Sequence, residues 1–289
     1  MRIALQDIRS EYEGFSRLIL LHAQIKDLFG TQIEIDMARV SWFDANMCAP
    51  FGAILYKVSR HLNTVTLSNI SSAVEKILSK NFFLSHYGRE IAQDTYRTTI
   101  EYKRFEPKDD RYFSAYIEKH SVGKGIPQMT PGLLKKFRES IFEIFSNAVI
   151  HSETKLGIFS CGQFFPKKHR LDFSIADLGI GIQRNVQKKG RLNLSVEQAI
   201  IWAISEKNTT KTGPIPGGIG LKLLREFILK NEGRLQIVSD AGYWELSEGK
   251  EGTRSFLEPF PGTVVNIEIN TKDTKSYCLA SEVRPEDVF

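Results

Sequence analysis

The segment PGLLKKFRESIFEIFSNAVIH, residues 131–151, constrains this chain more than any other. Leu134, Phe137, Ile141, Phe145 and Ala148 recur at three- and four-residue spacing, whereas Glu139, Glu143, Asn147 and His151 recur every four. At about 3.6 residues per turn these sets are two stripes of one helix, one apolar and one polar. The apolar stripe needs a sheet or another helix to cover it, which points to a layered domain. The polar stripe gathers two carboxylates, an amide and an imidazole. That is the make-up of a solvated face and equally of a ligand site, and later motifs have to decide between them.

The 289 residues, at roughly 150 per domain, allow two domains. With 42% hydrophobic and 25% charged residues the chain has the make-up of a folded protein, not of a disordered one. Its 39 Lys and Arg against 34 Asp and Glu leave an excess of five, spread without a long basic block, so nucleic acid is unsupported as a partner. The densest basic spots, 167–170 and 184–191, read as a solvated hairpin turn and a loop. No apolar run approaches the ~20 residues that cross a bilayer, and MRIALQDIRSEYEG lacks the basic-then-apolar order of a secretory signal, so no membrane partner and a cytoplasmic location are expected. Cys48, Cys161 and Cys278 form no CxxC pair; reduced thiols are expected, and no zinc site.

Residues 1–88 read as a small α/β unit. A helix is predicted over 15–29 with its end at Gly30, then a strand at 33–37, a helix over 45–62, a strand at 64–67 and a helix over 71–80 started by a hydroxyl residue. That order implies parallel strands with crossover helices. The polar stretch that follows, with RFEPKDDR, marks the boundary. The second domain, 89–270, has predicted strands at 98–103, 155–161 and 171–176, the last two hairpinned through FFPKKHR. Helices are predicted over 112–120, 131–151 and 196–205 and up to 230, with strands at 235–239 and 264–269 and a tail over 271–289. The class is α+β, with helices on one face of a mostly antiparallel sheet.

Two glycine motifs accompany the striped helix. In ADLGIGI, at a strand end, Asp177 precedes Gly179 and Gly181, so backbone can approach a ligand while a carboxylate accepts from an amino group. In PGGIGLKLL, Gly217, Gly218 and Gly220 open a helix, whose free N–H groups suit phosphate oxygens. There is no GxxxxGK[ST] loop, and DLGIGIQR lacks the third glycine of a dinucleotide fingerprint.

In this order EIFSNAVIH, DLGIG and GGIGL resemble the N, G1 and G2 boxes of the GHKL superfamily of gyrases, heat-shock-90 chaperones, histidine kinases and MutL proteins. The resemblance implies a Bergerat-type ATP-binding α/β sandwich. By it Asn147 would hold Mg²⁺ at the ATP phosphates, Asp177 would accept the adenine amino group, Gly179 and Gly181 would border the base, Gly218 and Gly220 would lie under the phosphates, and Gly217 would join the cofactor-binding set. Thr263, in FPGTVV, falls where the family has an adenine-pocket Thr. Residues 182–216 would form a lid, with Thr209, Thr210 and Lys211 as phosphate contacts. Glu143, four before the Asn, matches the catalytic Glu of gyrase-like ATPases and anti-sigma serine kinases, and His151 is similar to a position of the latter. No histidine starts an HE-type phosphoacceptor motif. The first domain resembles, in IEIDMARVSWFDANMCAPFGAIL and LNTVTLSN, the STAS fold of anti-sigma antagonists, but Asp44 is followed by Ala45 and Asn46 where phosphorylatable members carry Ser, so a regulatory or docking module is expected.

The cofactors implied are ATP and Mg²⁺. Three functions stay open: an ATPase whose nucleotide state controls a protein partner or a homodimer, a partner-switching serine/threonine kinase, and a non-catalytic ATP-sensing scaffold.

Overall fold

A computed structural model describes residues 1–205 and 219–282. The chain is mixed α+β and carries two sheets. The first is parallel, in the order β1 (Arg2–Ile8), β2 (Gln32–Phe43), β3 (Thr64–Ser68). The second is antiparallel throughout and five-stranded, in the order β4 (Thr99–Phe105), β5 (Ile158–Phe165), β6 (Arg170–Asp177), β8 (Lys250–Asn270), β7 (Arg234–Ser247).

Around the first sheet lie α1 (Tyr12–Ile25), α2 (Cys48–Ser59) and α3 (Ser72–Lys80). The expected parallel strands are present, with one strand more: RIALQDI alternates exposed and buried residues and forms β1. The first helix stops at Ile25, short of the expected end, and Gly30 instead makes the turn into β2 at φ +59°. Ser71 precedes α3, but its hydroxyl gives the helix no cap and donates to the Val40 carbonyl at 3.4 Å.

In the second unit α4 (Asp110–His120), α5 (Pro131–His151) and α8 (Ile219–Asn231) accompany the sheet. The striped helix spans 131–151 as its periodicity requires. Thr130 caps it by accepting from the Leu133 N–H at 3.3 Å, and Pro131 fills the first turn, where no donor is needed. Phe137, Ile141, Phe145 and Ala148 join a core with Phe173, Ile175, Val265 and Ile267 of the sheet. The hairpin between β5 and β6 is tighter than expected, because Phe164 and Phe165 belong to β5 and Arg170 to β6. The final strands are much longer than their predicted cores: β7 and β8 run out as a long hairpin, with register shifts between Ser239 and Gly242. There Phe256 stacks on Tyr12 at 4.6 Å, which brings the hairpin onto α1.

The segment expected to be a lid begins as two helices, α6 (Ile182–Gly190) and α7 (Val196–Ile204), the second started by a capping box of Ser195 and Gln198. Residues 206–218, with Thr209, Thr210, Lys211, Gly217 and Gly218, lie outside the described residues. The expected tail is held down as far as 282. Tyr277 packs edge-on against Phe227 at 5.3 Å, and Glu282 accepts from Leu279 N–H at 2.9 Å beside Thr130.

Helices α1 and α2 pack on the face of the antiparallel sheet opposite α5. One core therefore holds Leu18, Phe51 and Ile54 of the first unit together with Phe159, Cys161, Ala176, Val238 and Val264 of the second.

Candidate functional site

Alternation along the sheet sends Ile175 and Asp177 of β6, Ile237 of β7, and Thr263 and Val265 of β8 toward the helices. There they floor an open-mouthed cleft whose enclosed volume is about 150 Å³. Helix α5 contributes Ile144, Asn147, Ala148 and His151, followed by Ser152. Helix α6 brings Asn185 and Val186, α7 brings Trp202, Ala203 and Ile204, and α8 brings Leu221.

Asp177 is buried at the end of β6, one of its oxygens accepting from the Gly179 N–H at 2.8 Å. Burial pushes its carboxyl up to about 7, even though hydrogen bonds from the Gly179 and Thr263 backbone and from Ser152 pull it down, and the Asp240 charge adds to the rise. The glycines around it permit close packing. A Cβ on Gly179 would lie 2.1 Å from the Ser152 carbonyl oxygen, and one on Gly181, at φ +78°, 2.3 Å from Asp240 Oδ2. Gly262 is placed likewise: its Cβ would meet the Asp177 carbonyl oxygen at 2.1 Å.

Helix α6 is tied to its surroundings by polar bonds. Ile182 N–H donates to Ser239 Oγ at 2.8 Å, and Asn185 Nδ2 donates to the His151 carbonyl at 2.5 Å. Lys189 Nζ donates to the Ile150 carbonyl at 3.2 Å and lies 3.4 Å from His151 Nδ1. Burial also raises the Asp240 carboxyl, against the Gln183 backbone N–H and the charge of Arg184.

Of the residues named from sequence, Asn147, Asp177, Gly181, Thr263 and His151 line this one cleft. Glu143 and Gly179 do not line it. Glu143 sits half-buried one helical turn before Asn147, and Gly179 serves the packing against Ser152. Gly220 lies in the first turn of α8. Ser152, Asn185, Asp240 and Trp202 were missed. A helical signal for α6 was available in Ile182 and Val186, four apart, but the surrounding Lys, Arg and Gly read as loop.

The chain matches no protein-family model, and a search of curated proteins returns no match.

Proposed function

We propose that the cleft binds Mg-ATP as a GHKL nucleotide site, the five-stranded sheet and its helices forming a Bergerat-type sandwich with a STAS-like unit on the far face. One observation carries this reading. Asn147, Asp177, Gly181 and Thr263, named by three separate sequence motifs, line the same cleft.

The residues present suit the ligand. Asp177 is a buried acceptor for an exocyclic amino group, and Gly181 lines the same cleft. For the ion, the described residues hold no group of three or more His, Cys, Asp or Glu that could cage it. Mg²⁺ needs no cage, because it takes phosphate oxygens and waters along with one or two protein oxygens, and the Asn147 amide can supply one. When bound, the ion would neutralise phosphate charge. Asp177 orients the base, Asn147 positions the phosphate end, and Glu143, one turn along the helix, accepts the proton of the attacking water. The nucleotide state then controls engagement of a protein partner or a second copy.

Calorimetric titration of the full chain with ATP tests the reading. Binding that strengthens with Mg²⁺ and disappears in Asp177→Asn is expected; a chain that binds no adenine nucleotide overturns it. Label transfer from ATP to a serine of an added protein, in place of phosphate release, would move the assignment to protein phosphorylation.

A further inference from the structure

We propose that Trp202 is the stacking platform for the ligand's base, so that the cleft selects a planar heteroaromatic ring and not merely an amino group within reach of Asp177. The proposal rests on the nucleotide reading and adds to it the residue that sets ring selectivity.

The lining of the cleft is mostly saturated carbon, from Ile144, Ala148, Ile175, Val186, Ile237 and Val265. Such a surface shields a ligand from water without distinguishing a flat ring from an aliphatic group of equal area. Among the described lining residues Trp202 brings the one large aromatic side chain. It stands on the last turn of α7, half-buried, with Ala203 and Ile204 beside it in the lining. The helix beneath it is closed by its own hydrogen bonds at both ends. Its start carries the capping box, and the Ser205 N–H donates to the Trp202 carbonyl at 3.3 Å. Along its length, buried Ile200 packs so tightly on β7 that a Cβ on Gly242 would lie 2.9 Å from Ile200 Cδ1. Base-on-aromatic stacking tolerates any base but requires a π face, which distinguishes it from simple burial.

The test uses intrinsic fluorescence of the full chain, whose three tryptophans are Trp42, Trp202 and Trp244. Trp244 is buried in the core, and Trp42 carries Lys168 over its ring at 3.8 Å, so neither lines the cleft. Adenosine and ATP are each expected to quench wild-type emission. Trp202→Phe should bind both within about twofold of wild type yet lose the quenching, while Trp202→Leu, equally apolar but without a π face, should lose about tenfold in affinity for both. Trp202→Leu binding as tightly as Trp202→Phe overturns the proposal, as does quenching that survives in Trp202→Phe. A melting temperature of Trp202→Leu near that of wild type keeps its loss of affinity from being a folding defect, and a collapsed fold is met by Trp202→Met under the same criterion. If wild type binds neither ligand, the nucleotide reading itself falls; if wild type binds both and Trp202→Leu is unaffected, only the platform falls.

Discussion

Asn46 Nδ2, on the turn into α2, donates to Asn266 Oδ1 on β8 at 2.7 Å, joining two residues that are both buried and belong to different sheets' units. The bond is one link of a chain. Ser10 Oγ donates to Asn46 Oδ1 at 3.0 Å, and Asn266 Nδ2 donates to Gln236 Oε1 at 2.7 Å. A module on a flexible tether would not bury such a network. Removing one partner strands the others away from water, so Asn46→Leu should destabilise the protein by about 1–3 kcal/mol. Because both units share a core, urea unfolding should remain a single transition with a lower midpoint; two separated transitions would contradict the shared core.

Asp177 predicts a conflict between stability and binding. Its folded pKa of about 7 lies above the ordinary 3.8, so the native state holds the proton more tightly than the unfolded chain. Stability is therefore full below about pH 4 and falls as pH rises toward 7, at up to ~1.4 kcal/mol per unit. Asp177→Asn keeps an oxygen for the Gly179 N–H and carries no charge to bury. Thermal melts should show the variant more stable than wild type at pH 8 and equal to it near pH 3.5, although the proposed ATP binding should be lost.

The same carboxyl should make ligand binding depend on pH. An amino donor favours the ionised form, so adenosine should bind more tightly as pH rises from 6 to 8, with proton release. Calorimetry in buffers of different ionisation enthalpy measures that proton directly. Affinity that is flat across the range would mean that Asp177 does not meet the ligand.

Glu143→Ala should leave ATP affinity within a few-fold of wild type and lower steady-state phosphate release by about a hundredfold or more, as expected for loss of a general base. Since Glu143 stands one turn from the lining and not in it, the variant separates turnover from binding. Undiminished release would remove it from the chemistry.

How much of this could be read from sequence depended on whether the controlling interaction was local. The α5 helix was legible to the residue, because its stripes, its Thr130 cap and Pro131 all act within a few positions. Strand cores in β2, β3, β6 and β8 were legible from alternation and β-branching. The extensions of β7 and β8 were not: Gly242, Pro259 and Pro261 suggest loop, and the packing of Phe256 and Tyr243 around Tyr12 and of Ile200 against Gly242 comes from elements distant in sequence. In the cleft, Asp177 and Asn147 stood out because motifs carry them. Asp240 did not, since its part is to accept from the Gln183 N–H more than fifty residues away, in contacts that the fold alone creates. The union of the two units was hidden for a similar reason. Buried Ser174, Asn266 and Gln236 look like the polar, outward side of a sheet until α1 and α2 are placed over them.

Strand β6 answers to two masters. Leu171, Phe173, Ile175 and Asp177 belong to the helix side, whereas Asp172, Ser174 and Ala176 belong to the first unit, with Asp172 Oδ2 2.9 Å from Arg170 Nη2. The strand is thus written in two interleaved texts of period two. A substitution edits one text and leaves the other readable, so the lining of the cleft and the seam between units can drift independently. A single inserted or deleted residue exchanges the texts along the rest of the strand, turning the charged seam toward the cleft and the cleft's floor toward the seam. Length, more than composition, is what β6 cannot change.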